Sequence, residues 1–185
     1  MANAAGNSIV AKLLQDHQEV KQMFSRMDQT SPAKAKEMFW ELTNELVRHE
    51  VAEEEIVYPE VRKSVPNGDR LANARIKEQS EAEELLAELE KAGTDDPQFS
   101  SRLQKLQKAV LDHAEKEETL VFEPLGQRLD QDRLEKLGRR YEKAKAAAPT
   151  HPHPSAPDTP PGNMALGPVA ALVDRARDAM HKVAS

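Results

Sequence analysis

A motif of one histidine with a glutamate four residues later and an aromatic residue nine residues later occurs twice in the chain. The copies begin at His49 and His113, their glutamates are Glu53 and Glu117, and a proline closely follows each aromatic residue. Residues four apart lie on the same face of an α-helix, one turn apart. Each copy therefore presents an imidazole and a carboxylate side by side, and the two groups can bind one metal ion if that helix face points inward. Two copies with matching tails indicate one site built from both.

The apolar residues around both motifs recur at steps of three and four, which predicts helices with one buried face. Four such helices are predicted, and each carries a polar residue in the middle of its apolar face: His17, His49, Gln79 and His113. In an up-down-up-down four-helix bundle, their nearly even spacing brings these residues to a similar level. The second and fourth helices are then diagonal neighbours, so their His/Glu pairs face each other across the core.

The composition and the proline distribution predict an all-α fold in three parts. Charged residues make up 31% of the chain and hydrophobic residues 38%, with only seven glycines, a balance typical of a helical bundle. Residues 1–147 are predicted to form the four-helix bundle, and the proline-rich residues 148–167 an extended linker. Residues 168–185 are predicted to form a fifth, C-terminal amphipathic helix. It is too short to be stable alone in water, so we expect it to dock on the bundle or on a second subunit of a homodimer.

Several classes of function are disfavoured by what the sequence lacks. The chain has no cysteine, which excludes disulfides, thiolate chemistry, iron–sulfur clusters and thiolate zinc sites. Any metal must therefore be held by histidine, carboxylate or amide groups. The net charge of −6 argues against a nucleic-acid partner. Neither a secretory signal nor an apolar run of membrane length is found, so we expect a cytoplasmic protein without a membrane partner.

Buried charge is the strongest indication of a metal in this core. A lone histidine on an apolar face is usually satisfied by a hydrogen bond. Several histidines and two glutamates in one core, however, would bury carboxylates at a cost of several kcal/mol each unless they were neutralised. No lysine or arginine lies nearby in the apolar stripes to pair with them, and a cation resolves the problem. The predicted metal ligands are His17, His49, Glu53, His113 and Glu117.

These residues resemble the motifs of the hemerythrin-like (HHE cation-binding) family over about residues 9–127. The motifs are Asp16-His17, the HxxxEE…YP sequence that begins at His49, and the HxxxEE…F-x-P sequence that begins at His113. The resemblance implies a di-iron centre inside a four-helix bundle, with two non-haem iron ions joined by an oxo or hydroxo bridge and two bridging carboxylates. The tail around Pro149–Pro168 looks like the C-terminal extension of some actinobacterial, including mycobacterial, members.

One position departs from the family pattern. The third helix of the family usually carries a Glu-His pair, whereas this chain has Glu78-Gln79. The five predicted ligands cannot fill the coordination spheres of two irons, so Glu50 and Glu83 are candidate additional ligands, with exposure to solvent as the equal alternative. Gln79 is expected to hydrogen-bond a bridging oxygen or to ligate weakly through its carbonyl. The remaining histidines are expected at the surface: His151, His153 and His181.

The ligand set favours iron and peroxide chemistry. Mixed imidazole and carboxylate ligands suit non-haem iron or manganese, whereas copper and structural zinc sites have more nitrogen or sulfur ligands. Anionic ligands in place of a neutral imidazole stabilise Fe(III), which favours turnover of H2O2 over reversible O2 carriage. Catalase-like activity in oxidative stress, associated with some mycobacterial members, is what the resemblance implies, with no catalytic residue beyond the metal ligands. The alternative is a protein that binds or senses O2 or NO, or stores iron, without turnover. A sensor would normally be fused to a signalling domain.

Overall fold

The computed structural model describes residues 6–27, 30–155, 170–174 and 178, and within them the chain is helical without a β-strand. Two π-helical turns, Glu53–Val57 (the first π turn) and Glu118–Phe122 (the second π turn), interrupt long helices. The α-helices are α1 (Ile9–Met27), α2 (Pro32–Ala52), α3 (Tyr58–Ser64), α4 (Gly68–Ala92), α5 (Phe99–Glu117), α6 (Glu123–Arg128) and α7 (Gln131–Ala147). Among the described helices, none has both the length and the apolar character needed to cross a bilayer.

Four long helical units form the bundle that the sequence predicts. Helix α1 packs against α2 and α5, and α4 packs against the same two helices. Helices α2 and α5, which carry the two motifs, therefore occupy opposite corners of the bundle. The first π turn continues α2 into α3, and the second continues α5 into α6. The predicted all-α four-helix bundle is thus confirmed.

The polar residues that the sequence predicts at one level of the bundle lie between two apolar clusters. The first cluster lies toward one end of the bundle and includes Phe24, Leu42, Leu86 and Leu106. The second cluster lies toward the other end and includes Leu13, Val61, Phe122 and Leu137. These eight side chains are 0–1% exposed, and burial of each contributes about 1.5–3 kcal/mol. The polar residues between the clusters are consequently shut off from bulk water.

The π turns allow each long helix to continue past a proline. In a straight α-helix, the ring of Pro59 or Pro124 would clash with the carbonyl four residues earlier, which lies inside the preceding π turn. The wider π turn removes this clash, and each proline then lies in the first turn of the next α-helical segment. Such single π turns are frequent at functional sites. Both copies of the motif therefore end in the same local distortion.

Helix α7 is a separate element that packs against both α1 and α2. It begins at Asp130, whose Oδ1 accepts a hydrogen bond from the backbone N–H of Arg133 (2.8 Å). Its Gly138 approaches the N-terminal segment so closely that a Cβ atom there would lie 2.4 Å from the carbonyl oxygen of Asn7. Glycine at this position therefore lets α7 lie flat against the start of the chain.

The C-terminal segment returns to the bundle. Residues 170–174 and Asp178 are helical, in agreement with the predicted C-terminal helix. Asp174 is 1% exposed, and its Oδ2 accepts hydrogen bonds from the backbone N–H groups of Thr150 (2.9 Å) and His151 (3.1 Å). Asp178 Oδ2 accepts a hydrogen bond from the Thr150 hydroxyl (2.8 Å). The start of the predicted linker and part of the predicted helix are thus held together.

His151 contradicts its predicted surface position, because it is only 5% exposed. Its Nδ1 contacts Glu90 of α4, and its Nε2 lies 2.9 Å from Asp178 Oδ1. Two carboxylates therefore enclose this imidazole, an arrangement that no local sequence pattern indicates. His153 is half-buried, with Nε2 3.1 Å from Asp174 Oδ2. The third histidine predicted at the surface, His181, lies outside the described residues.

Candidate metal centre

Side chains from α1, α2, α5 and the first π turn converge between the two apolar clusters. His17, His49, Glu53 and Glu117 each offer one ligand atom, and these atoms all lie within 4.8 Å of one another. His49 Nε2 lies 3.3 Å from Glu53 Oε1, and His17 Nε2 lies 3.5 Å from Glu117 Oε2. His113 joins this group through Nε2, which lies 3.1 Å from the same Glu117 oxygen. The fold therefore brings together all five residues that the sequence predicts as ligands.

Several polar atoms in this group have no hydrogen-bond partner. Seven buried side-chain atoms of the described residues have no hydrogen-bond partner, and four of them belong to Gln79 and the predicted ligands: Glu53 Oε1, Gln79 Oε1, His113 Nε2 and Glu117 Oε2. An unsatisfied buried polar atom costs about 1–3 kcal/mol, and more for a charged group. A cation among the ligand atoms of His17, His49, Glu53 and Glu117 would satisfy the two carboxylate oxygens. The donor set of imidazole, carboxylate and amide oxygen thus fits a hard or borderline metal ion.

Each histidine uses its other ring nitrogen to contact a partner farther from the centre. The Nδ1 contacts are His17 to Glu118 Oε1 (3.0 Å), His49 to the Tyr141 hydroxyl (2.7 Å), and His113 to Glu78 Oε2 (3.1 Å). Metal-bound histidines in proteins characteristically hydrogen-bond their second nitrogen to such a group, which orients the ring and selects its tautomer. All three imidazoles therefore direct Nε2 toward the centre.

The two carboxylates are also oriented by neighbouring side chains. Glu53 Oε2 accepts a hydrogen bond from Gln79 Nε2 (2.7 Å), and Glu117 Oε1 accepts one from the Tyr58 hydroxyl (2.7 Å). Both glutamates are 0% exposed. In each case one carboxylate oxygen is held by the protein, and the other is the unpaired atom directed at the centre.

Protons occupy this centre when no cation is present. Burial disfavours the imidazolium form of His113, but the charge of Glu117 outweighs it and raises the pKa of His113 to about 9. Burial likewise opposes charge on His49, yet Glu53 and Asp16 raise its pKa well above the usual value. Burial would raise the pKa of Glu117, but His113 and His17 lower it well below its usual range. A metal ion would therefore displace a proton from His113.

The candidate additional ligands lie beside this group. Burial and the charge of Glu83 raise the pKa of Glu50 to about 8, and Glu50 also interacts electrostatically with His113 and His49. Glu83 is half-buried, and its Oε1 accepts a hydrogen bond from the backbone N–H of His153 (2.8 Å). Neither carboxylate belongs to the group of ligand atoms within 4.8 Å. Glu50 thus approaches the metal-ligand residues, while Glu83 also holds the start of the linker.

Sequence reasoning missed the residues that orient the ligands. Glu78 and Glu118 are adjacent in sequence to Gln79 and Glu117, and this adjacency could have indicated that they lie close to the ligands. No comparable signal marks Tyr141, which is 92 positions from His49 and belongs to a helix without a motif. Contacts of this kind become visible only when the helices are packed.

Comparison with known proteins agrees with this geometry. The profile of the family described as Hemerythrin HHE cation binding domain matches residues 8–125. An uncharacterized hemerythrin-like protein of Schizosaccharomyces pombe is 31% identical over 173 residues, which cover 92% of this chain and 82% of that protein. A DNA nickase of Nostoc sp. is 31% identical over 132 residues, which cover 71% of this chain but 37% of that protein. No solved structure matches significantly.

The family match spans most of the bundle and includes all five predicted ligand positions. It also agrees with the region, residues 9–127, over which the sequence motifs resemble the family. The fission yeast relative extends the similarity over nearly the whole chain. This chain belongs to the hemerythrin HHE cation-binding family.

Proposed function

We propose that this chain binds two non-haem iron ions in the metal centre and disproportionates H2O2 to O2 and water, as a cytoplasmic monomer or homodimer. The observation that carries this proposal is the convergence of buried ligand atoms from His17, His49, Glu53 and Glu117, which all lie within 4.8 Å of one another. In the proposal, the irons are held by His17, His49, Glu53, His113 and Glu117, with Glu50, Glu83 or Gln79 completing the coordination.

Iron is favoured over other metals by the kinds of ligand atoms present. The centre combines three imidazoles with two carboxylates and has no sulfur ligand, because the chain contains no cysteine. Gln79 occupies a position where the family usually has a histidine, so the share of anionic ligands is high. This balance of charge favours Fe(III) and therefore peroxide turnover over reversible O2 carriage.

A bound iron pair would supply the electron transfer that peroxide disproportionation requires. The chain itself must manage protons, since one H2O2 loses two protons and the other gains two. Glu50 is the candidate for this role if it is not itself a ligand, because its buried carboxyl group interacts electrostatically with His49, Glu53 and His113. The apolar clusters on either side restrict access of bulk water to the reaction.

The test is metal analysis of the purified protein followed by measurement of O2 release after addition of H2O2. We expect close to two irons per chain, near-ultraviolet charge-transfer absorption and O2 release. His113→Ala, loaded in the same way, is the matched control, and it should lose both iron and activity. One metal per chain, or zinc in place of iron, would contradict the di-iron proposal. Two irons without O2 release would instead support the alternative function of binding or sensing O2 or NO, or storing iron.

We do not propose that this chain nicks DNA, the activity for which the Nostoc relative is named. The shared segment covers 37% of that protein, and the net charge of −6 opposes binding to a polyphosphate backbone. Incubation of the iron-loaded protein with supercoiled plasmid provides the test. Added catalase removes peroxide and so prevents radical damage to the DNA. Nicked circles formed under these conditions would contradict the proposal.

A further inference from the structure

Tyr141 of α7 lies between a motif histidine and an acidic residue of α1. Its hydroxyl is 2.7 Å from His49 Nδ1 and 2.6 Å from Asp16 Oδ2, and its side chain is 1% exposed. Lys145, one helical turn later on α7, places Nζ 2.8 Å from the same Asp16 oxygen. Lysine, aspartate, tyrosine and histidine thus form a continuous polar chain that ends at the metal centre.

The direction of each hydrogen bond in this chain follows from the chemistry of its members. The ammonium of Lys145 can only donate, so Asp16 accepts from it. The Tyr141 hydroxyl has one proton, which it donates to the Asp16 carboxylate. Its oxygen must then accept from His49 Nδ1–H. The proton on Nδ1 is therefore held in place, so Nε2, which faces Glu53, is the nitrogen that can give up its proton to a metal ion.

Helix α7 lies beyond the part of the chain that matches the family profile, which ends at residue 125. The helix is nevertheless fixed to the bundle at several points. The carbonyl oxygen of Lys145 accepts a hydrogen bond from Arg48 Nε (2.7 Å), and Lys12 of α1 pairs with Glu142. Tyr141 itself belongs to the second apolar cluster. Packing of the Tyr141 ring in this cluster consequently holds its hydroxyl in place.

We propose that Tyr141 is a positioning residue for the metal ligand His49, so that α7, an element outside the family match, controls how tightly the centre retains metal. This inference rests on the metal-binding part of the proposed function, but not on peroxide turnover. Removal of such an outer partner typically weakens metal binding about 10- to 100-fold. Only contacts of His49 should change, because His17 and His113 have their own partners, Glu118 and Glu78.

The test compares Tyr141→Phe with the parent protein by using Zn2+, which is diamagnetic and redox-inactive. Zinc affinity is measured by competition with a chelator, and the ring N–H protons of the histidines are followed by NMR in the zinc-loaded protein. Tyr141→Phe should bind zinc about 10- to 100-fold more weakly and shift the Nδ1–H signal of His49, but not those of His17 and His113. Glu142→Gln is the matched control on the same helix. It removes the negative charge that pairs with Lys12 and should leave both readouts unchanged.

A second variant keeps the proposal testable if Tyr141→Phe does not fold. Lys145→Met removes the distal donor to Asp16 and should move the same His49 signal in the zinc-loaded protein, with a smaller loss of affinity. If either folded variant has unchanged zinc affinity and an unchanged His49 signal, the positioning role is overturned. The same holds if a variant loses thermal stability while both of these readouts stay unchanged. A parent protein that binds no metal would overturn the metal centre and this inference together. A parent that binds zinc and iron without releasing O2 would overturn only the enzymatic function.

Discussion

Tyr58, the aromatic residue of the first motif, donates a hydrogen bond of 2.7 Å to Glu117 Oε1 of the second motif. The aromatic residue of the second motif is Phe122, which has no hydroxyl. It packs instead against the ring of His17, with centroids 5.1 Å apart. Glu53 therefore receives its hydrogen bond from Gln79. The two motifs are similar in sequence, but their carboxylates are held by different groups.

Loss of the Tyr58 hydroxyl should weaken the centre. In Tyr58→Phe, Glu117 Oε1 would lose its donor in a fully buried position, which costs about 1–3 kcal/mol in the metal-free protein. The carboxylate would also be less well oriented toward the metal. We expect a lower urea midpoint for the metal-free protein and about 10- to 100-fold weaker metal binding by chelator competition. Metal binding equal to that of the parent protein would show that Tyr58 does not orient Glu117.

Loss of the His113 imidazole should remove metal and destabilise the fold. In the metal-free protein, Glu117 would keep its charge in the core with one fewer partner, since His113 Nε2 lies 3.1 Å from it. We expect His113→Ala to lose most of its iron and to unfold at a lower temperature. Glu115→Ala, an exposed position on the same helix, is the control and should match the parent protein. Full iron content in His113→Ala would exclude His113 from the centre.

Gln79→His restores the residue type usual in the family. Imidazole is a stronger ligand than a carboxamide, and Gln79 already contacts the centre through its hydrogen bond to Glu53 Oε2 (2.7 Å). The variant should bind iron at least as tightly, hold a di-ferrous state longer in air and decompose peroxide more slowly. Iron content, the lifetime of the reduced state by spectroscopy and O2 release are the measurements. Faster peroxide decomposition would contradict the argument from ligand charge.

Glu83→Ala tests what completes the coordination in the parent protein. If Glu83 is a ligand, this variant should lower the iron content, and by less in the Gln79→His background. If Glu83 only holds the backbone of His153, iron content should stay unchanged, while the start of the linker should exchange its amide hydrogens faster. The two readouts therefore separate a ligand from a structural residue.

Metal affinity should rise with pH, because a metal ion must displace protons from the histidines. The pKa of His113 is about 9, so this ring is protonated at neutral pH in the metal-free protein, and the pKa of His49 is shifted in the same direction. Affinity should therefore increase about tenfold per pH unit for each proton released, until pH passes about 9. Chelator competition at several pH values measures this slope. A flat profile between pH 6 and about 8 would contradict the proton count.

Whereas metal affinity should rise with pH, the stability of the metal-free protein should fall with pH. A histidine whose pKa is raised on folding stabilises the folded state fully below its unfolded pKa of about 6.5. For His113 that contribution is lost as pH rises through about 9. The difference in melting temperature between loaded and metal-free protein should therefore widen from pH 6.5 to about 9. A difference that narrows over this range would contradict the assignment.

Docking of the C-terminal segment can be followed by fluorescence, since Trp40 is the only tryptophan in the chain. Its Nε1 donates to Asp178 Oδ1 (3.3 Å), and Asp178 also contacts His151. In Asp178→Ala the segment should detach more readily, and the Trp40 emission should shift to longer wavelength. Trp40, Asp178 and Asp95 line one cavity, so Asp95→Ala, which changes the other acidic residue there, is the control. Identical emission from parent and Asp178→Ala would indicate that this contact does not hold the segment.

The helices and the level of the metal centre follow from local sequence patterns. The step of three and four residues places His49 and Glu53 on one buried face in any helix that contains them, and the same holds for His113 and Glu117. Burial of several ionisable groups without cationic side chains then indicates a cation. For this reason the bundle and the convergence of the five candidate ligands could be predicted without a structure.

What only the tertiary structure decided is how those ligands are oriented. The contacts of Tyr141 with His49 and Asp16 join residues 92 and 125 positions apart, and the contact of His151 with Glu90 joins residues 61 positions apart. Such contacts depend on the angle and distance at which helices pack, and helical periodicity contains no information about either. The sequence therefore determined which side chains of the four bundle helices enter the core, whereas packing decided which partner each of them contacts.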